Sequence, residues 1–259
     1  MSIWKTLLLS LLTTILAQGA PKEPTVVFVL AEKEYLTAET VPAYYEKHLK
    51  PLGIRGKFVT APPDGDDRYN LKGLETALEG ADLVFLSVRR RAPKIGQMEA
   101  LKKFVTDGKP VVGIRTSSHP FHLRKAESPA GHAQWQEFDP AILGGNYNGH
   151  YGNKQKTTWR VSKEAEGHAI LKGVPANVVP SGGSLYRSSP LKKTTTTLAT
   201  ARAEGVDDVQ PVAWTNRPES GSRVFYTSLG HVSDFENEAF TKLLTNGVFW
   251  ALAMETPCK

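Results

Sequence analysis

Three apolar runs decide most of what this chain can become. Thr25 to Ala31, Asp82 to Val88 and Pro110 to Ile114 are rich in β-branched residues and do not alternate with polar ones. A strand with one wet face alternates, so these runs predict parallel strands covered by helices on both faces. The intervals between them carry helical spacing. Val41, Tyr44, Tyr45, His48, Leu49 and Leu52 share one face ahead of Gly53, and Ile95, Met98, Leu101, Phe104 and Val105 share another ahead of Gly108. Strands alternating with helices give an α/β fold with a doubly wound, mostly parallel sheet.

The closing segment reads as a hairpin and a helix. Pro211 to Asn216 and Arg223 to Leu229 are its strands, with the turn at Pro218 to Gly221. Ser233 and Glu236 have capping-box spacing before Phe240, Leu243, Leu244 and Val248. The stretch 116–200 is rich in Gly, Ser, Pro, Asn and Thr, and is read as long excursions from the sheet, with a Thr-rich strand at Thr194 to Thr197. No internal repeat is present. Residues 21–259 are therefore expected to form one domain.

At the N-terminus, Lys5 precedes an apolar stretch from Leu7 to Ala17, followed by Gly19, Ala20 and Pro21. That order reads as a secretory signal peptide over residues 1–20, so the mature chain is expected to be exported, periplasmic or extracellular. The stretch is too short to span a hydrocarbon core of about 30 Å, so stable membrane insertion is not expected. Cys258 is the single cysteine, so no internal disulfide forms, and a lone thiol near the end of the chain is a poor nucleophile.

Open parallel sheets bind ligands outside the carboxyl ends of their strands. The residues that follow each run there are Glu34 and Tyr35, then Arg89, Arg90 and Arg91, then Arg115, Ser117, Ser118, His119 and His122, and last His231 and Asp234. His231 lies between a strand and a helix start, where the helix dipole would favour a neutral imidazole base; the alternative reading is a histidine bonded to a neighbouring carbonyl. Arg89 and Arg115 could aim guanidinium groups at a carboxylate, phosphate or sugar hydroxyl, or pair with Glu32 and Glu34. His119, His150 and His231 supply enough imidazoles for a three-histidine site for a divalent metal such as zinc, although their spacing matches no dedicated zinc motif. His48 and His132 are read as structural.

Several classes are excluded or weakened. There is no G-x-S-x-G nucleophile elbow, Walker loop or G-x-G-x-x-G. The formal charge is +6, without a basic stripe interleaved with aromatics, so nucleic acid is not an expected partner.

The motifs together resemble the ThuA-like (trehalose utilisation) family. They are Arg89 to Arg91, Gly108 to Phe121, Glu34-Tyr35 with Thr37 to Pro42, Leu143-Gly144-Gly145 with Gly149-His150, Ser184-Leu185-Tyr186, Pro211 to Thr215, Arg223 to His231, and Gly247 to Ala251. The chain is similar in particular to secreted members from environmental bacteria such as planctomycetes. The resemblance implies a flavodoxin-like, class I glutamine amidotransferase-like fold. Arg115 stands where true amidotransferases carry the nucleophilic Cys, and a guanidinium is no nucleophile, so amidotransfer is not expected. His231 falls where those enzymes keep their catalytic His.

The family is linked with disaccharide catabolism through keto-sugars. The resemblance therefore implies an enzyme acting on a keto-sugar or glycoside by acid/base chemistry. His231 or Glu34 would be the base, and Arg115, His119 or a metal would stabilise the oxyanion. Tyr35, Arg89, Arg115, His150 and Tyr186 would bind substrate, with Tyr147 and Tyr151 as further aromatic faces for a sugar. The alternatives are a non-catalytic carbohydrate-binding protein on a degenerate amidotransferase fold and a scaffold whose polar rim satisfies only itself. Association of the chain with copies of itself is left open.

Overall fold

The computed structural model describes residues 23–152 and 154–257. The signal segment expected over residues 1–20 and Cys258 lie outside them. The three apolar runs form β1 (Thr25–Ala31), β3 (Leu83–Val88) and β4 (Val111–Ile114), every residue of them buried. Between them run α1 (Thr37–Tyr44), β2 (Arg55–Thr60), α2 (Leu74–Leu78) and α3 (Ile95–Thr106). After β4 come β5 (Thr157–Val161), β6 (Val179–Ser181), β7 (Thr195–Ala203), β8 (Gln210–Asn216), β9 (Val224–Thr227) and α4 (Glu238–Ala251).

All nine strands join one sheet in the order β2-β1-β3-β4-β9-β8-β7-β5-β6. The first five are parallel. Taken in chain order they read 2-1-3-4-5, the flavodoxin-like doubly wound arrangement. From β9 onward every pairing is antiparallel. The expectation of a mostly parallel sheet is thus corrected to a mixed one, half parallel and half antiparallel. The excursions expected over 116–200 are corrected in the same way, since they supply β5, β6 and most of β7. These strands escape a search for apolar runs because their burial alternates or their length is minimal, as in β5 and the three-residue β6. The edge strand β2 is mostly exposed and charged, and left no apolar run either.

Side-chain alternation divides the core into two layers. Val26, Phe28 and Leu30 pack with Val41 and Tyr44 of α1 and with Phe240, Leu243, Leu244 and Val248 of α4. Val27, Val29 and Ala31 pack on the other face with Leu74 and Leu78 of α2 and with Met98, Leu101 and Val105 of α3. The helical segment after β1 continues past α1 as a π turn and a 3₁₀ turn, then stops at Gly53 with φ +79°. The helix expected after Ser233 begins later. A 3₁₀ turn occupies Val232–Glu236 with His231 at its N-cap and Asp234 completing the capping box, and α4 is capped by Asn237.

Gly247 is where α4 comes closest to the sheet: a methyl group there would run into the ring of Phe225. Replacing Gly by Ala in a helix ordinarily gains about 1 kcal/mol. Overpacking of a filled core costs about 1–3 kcal/mol. Gly247→Ala is therefore expected to destabilise the protein by up to about 2 kcal/mol in urea denaturation. A raised midpoint would show that α4 can move away from Phe225.

Candidate active site

The loops at the carboxyl ends of β1, β3, β4 and β9 meet in one cleft of about 490 Å³. Glu34, Tyr35, Arg89, Arg115, His119, His150, Tyr186 and His231 all line it. Sequence reasoning singled out each of these eight for site chemistry. Arg124, Gly182 and Ser184 also line the cleft and were not singled out; Tyr147, named as an aromatic face, joins them. Tyr151 turns away, and its hydroxyl donates to Asp208 at 2.6 Å.

The first loop is shaped by Glu32. Its buried carboxylate accepts the backbone N–H groups of Glu34 at 2.6 Å, Tyr35 at 2.8 Å and Thr37 at 2.9 Å, and the Thr37 hydroxyl at 2.7 Å. This carries Glu34 and Tyr35 over the end of β1. The Glu34 carboxylate then meets Arg89 Nε at 2.9 Å. The ion-pair reading of Arg89 is therefore realised, through one nitrogen of the guanidinium.

Arg115 occupies the turn after β4 at φ +48°, in the left-handed region that non-glycine residues rarely adopt. Its side chain is 2% exposed. Nη1 donates to the carbonyls of Ser228 at 2.6 Å and Ser184 at 3.0 Å. Nη2 donates to Ser184 Oγ at 3.1 Å and the Tyr35 hydroxyl at 3.3 Å. The guanidinium lies over the rings of Tyr186 and Tyr35, 4.3 and 4.6 Å from their centroids. Four of its five N–H groups are thus committed to the protein, and only Nε lacks a partner. Arg115 organises the cleft floor and has few donors left for a ligand.

His119 is 3% exposed, with Nδ1 3.3 Å from Ser118 Oγ and its ring 4.3 Å from that of Tyr147. Burial, reinforced by the charges of Arg90 and Arg89, pushes its pKa down to about 2. It is a neutral imidazole across the physiological range and a poor proton acceptor. Ser117, beside it, donates to the Leu86 carbonyl at 2.7 Å and so is tied into the end of β3. Tyr147 stands between His119 and His150, its hydroxyl 2.6 Å from His150 Nδ1. Burial also lowers the His150 pKa, with Arg115 and Arg187 adding to it, and burial holds the Tyr186 phenol well above its ordinary value.

His231 faces the cleft across the ring of Tyr35, 6.1 Å between centroids. Its Nδ1 meets Ser233 Oγ at 2.9 Å and accepts the Ser233 N–H at 3.3 Å. Nε2 has no hydrogen-bond partner among the described residues, so it is the nitrogen open to a ligand. Asp234 fixes the whole corner: its buried carboxylate accepts from Gly230 N at 2.9 Å, His231 N and Ser181 Oγ at 3.0 Å, and Gly182 N at 3.0 Å. The Ser181 to Ser184 loop can approach because it carries glycines. A methyl group at Gly182 would run into Ser233 Oγ and His231 Nδ1, and one at Gly183 would lie 2.6 Å from Arg115 Nη2.

Two sequence expectations change here. The α-helix whose dipole was to act on His231 begins only at Glu238, so His231 caps a single 3₁₀ turn instead. The three-histidine metal reading does not fit either. Tyr147 separates His119 from His150, and no group of three His, Cys, Asp or Glu residues able to hold a metal ion occurs among the described residues.

A family model described as ThuA, trehalose utilisation, matches residues 27–251, which include every strand past β1's first two residues and all the cleft loops. The chain belongs to the ThuA family. Two solved ThuA-like proteins share the fold. One, from Parabacteroides merdae, has a TM-score of 0.66 and 15% identity over 91% of this chain and 92% of its own. The other, from Bacteroides uniformis, has a TM-score of 0.63 and 16% identity over 92% and 96%. A fainter likeness, TM-score 0.47 and 13% identity over 91% and 97%, is to the glutaminase domain of CTPS from Trypanosoma brucei. No curated protein matches the chain.

Beneath the cleft of this ThuA chain, burial raises the Asp139 carboxyl pKa from 3.8 to about 8, against a smaller lowering by Arg90. The two buried groups give opposite pH slopes. His119 protonates at 6.5 when unfolded but near 2 when folded, so its contribution is present above 6.5 and lost as the pH falls toward 2. Asp139 ionises near 3.8 when unfolded but near 8 when folded, so its contribution is present below 3.8 and lost as the pH rises toward 8. Each slope is at most about 1.4 kcal/mol per pH unit. Between 6.5 and 8 Asp139 acts alone of the two. Asp139→Asn is expected to remove a decline in stability over that window, measured by denaturant unfolding across pH. An identical slope in wild type and variant would show that Asp139 is already ionised in the folded protein.

Proposed function

We propose that this ThuA-family protein is an exported enzyme that acts on a keto-sugar or glycoside by acid/base chemistry, without a cysteine nucleophile. The observation that carries the reading is the meeting of eight separately chosen residues, from four strand ends and two distant loops, in one cleft. Chance polar residues on loops would have scattered over the rim.

The roles follow from what each group can still do. His231 would act from the tautomer in which Nδ1–H donates to Ser233 Oγ at 2.9 Å, in place of accepting the longer 3.3 Å contact from the Ser233 N–H, so that Nε2 faces the cleft unprotonated as an oriented general base. It would remove the proton on the carbon beside the sugar carbonyl. The electron pair from that C–H bond moves onto the carbonyl oxygen, giving an enolate. His119 is held neutral by burial, so it is suited to donate a hydrogen bond to that oxygen rather than to take a proton. Glu34 is engaged by Arg89, which makes it the second choice as base. Tyr35 and Tyr186 offer ring edges beside the Arg115 guanidinium, which lies over both rings and donates to the Tyr35 hydroxyl, a surface suited to a sugar. Export rests on the N-terminal sequence pattern described above.

The test is proton exchange at the carbon beside the carbonyl. A keto-disaccharide incubated with the protein in deuterated water is expected to take up deuterium, followed by NMR. His231→Ala should slow the exchange by about 10²–10⁴-fold, the usual worth of a general base. Exchange at the wild-type rate in His231→Ala would remove His231 from the chemistry. Binding of the sugar with no exchange by the wild-type protein would favour a binding module instead.

A further inference from the structure

The charges of the cleft are unbalanced. Three guanidinium groups line it, those of Arg89, Arg115 and Arg124, against the single carboxylate of Glu34. Arg115 is spent on the protein, but the other two are not. Arg89 uses only Nε on Glu34, and neither of its Nη atoms has a partner among the described residues. The Arg124 guanidinium is exposed and has no side-chain partner among them at all. Behind both lies Arg90, which reaches the His122 carbonyl at 3.4 Å through Nη1, forms no ion pair among the described residues, and leaves Nε buried without a partner. Burial and the repulsion of Arg124 and Arg89 lower the Arg90 pKa, and burial followed by the charge of Arg90 lowers those of His119 and His122.

The backbone has been bent to assemble this cluster. Five non-glycine residues have positive φ among the described residues, and three of them are Arg90 at +47°, Arg115 at +48° and Arg124 at +61°. Each such position is unfavourable for a residue with a Cβ. Like charges gathered at strained positions are unfavourable in the empty protein, and an anion between them relieves the repulsion. A neutral sugar needs no such arrangement.

We infer that the cleft selects a sugar carrying an anionic substituent, a carboxylate or a phosphate, held between Arg89 and Arg124 with the ring toward Tyr35, Tyr186 and His231. This deepens the sugar reading above and rests on it.

The test compares three matched probes by calorimetric titration of the full chain: methyl α-glucoside, methyl α-glucuronide and glucose 6-phosphate. At about 50 mM salt one or both charged sugars are expected to bind at least about tenfold more tightly than the neutral one, and the advantage should shrink at about 0.5 M salt. The tighter of the two identifies the substituent. Arg124 is exposed, so Arg124→Gln should leave the fold intact. It should cut the affinity for the charged sugar about tenfold while leaving that for methyl α-glucoside unchanged. Equal affinities for charged and neutral sugars would overturn the anion inference and leave the sugar reading standing. A preference that survives both Arg124→Gln and Arg89→Gln would place the anion elsewhere and overturn it too. Absence of binding by all three probes would overturn the anion inference, while the sugar reading is decided separately by the exchange experiment on the keto-disaccharide.

Discussion

The site depends on a buried cation that has no carboxylate of its own. Taking a guanidinium out of water costs several kcal/mol unless the protein replaces its hydration. Around Arg115 that replacement comes from two carbonyls, two hydroxyls and two aromatic faces. Hydrogen bonds to a charged group contribute about 1.5–3 kcal/mol each, and desolvated cation–π contacts about 2 kcal/mol. The partners come from three places: Tyr35 after β1, Ser184 and Tyr186 after β6, and Ser228 after β9. The turn itself is held from below, where the Tyr226 hydroxyl donates to the Arg115 carbonyl at 2.6 Å. One side chain thus ties both halves of the sheet to one point.

That arrangement has an electrostatic consequence. A fixed positive charge at the cleft floor, with Arg89, Arg90 and Arg124 at its side, favours neutral imidazoles over charged ones nearby. His119 and His150 are pushed that way, burial coming first in both. The Arg115 turn lies in the left-handed region, and its side chain serves to hold other groups of the cleft.

Much of this was legible in the sequence, for reasons that can be stated. Fully buried parallel strands write continuous apolar runs, so β1, β3 and β4 announced themselves, and the loops after them held the polar residues of the cleft. The hairpin of β8 and β9 was legible from its turn. What was not legible shares a cause. β2, β5 and β6 are edge or near-edge strands: β2 is mostly exposed, β5 alternates between core and water, and β6 is three residues long, so composition there resembles a loop. Arg124 and the Ser181 to Ser184 loop gave no periodic signal, because their place in the cleft is set by contacts distant in the chain. The capping box was sought at Ser233 and Glu236, while the same spacing two residues earlier, His231 and Asp234, is the one that forms. The Gly182-Gly183 pair falls in the glycine-rich stretch read as an excursion from the sheet, while its physical role is close approach to His231 and Arg115.

The antiparallel extension is best understood through that loop. A five-stranded parallel sheet ends in short turns that leave the face above Arg115 open to water. Adding β8, β7, β5 and β6 carries the chain outward and then returns it over the cleft, where β6 ends at Ser181. Asp234 receives the returning chain at Ser181 and Gly182 with the same carboxylate that shapes the His231 turn. The wall that shields Arg115 and the turn that orients His231 are therefore one hydrogen-bonded unit. The shared carboxylate of Asp234 thus holds both the wall beside Arg115 and the turn that orients His231.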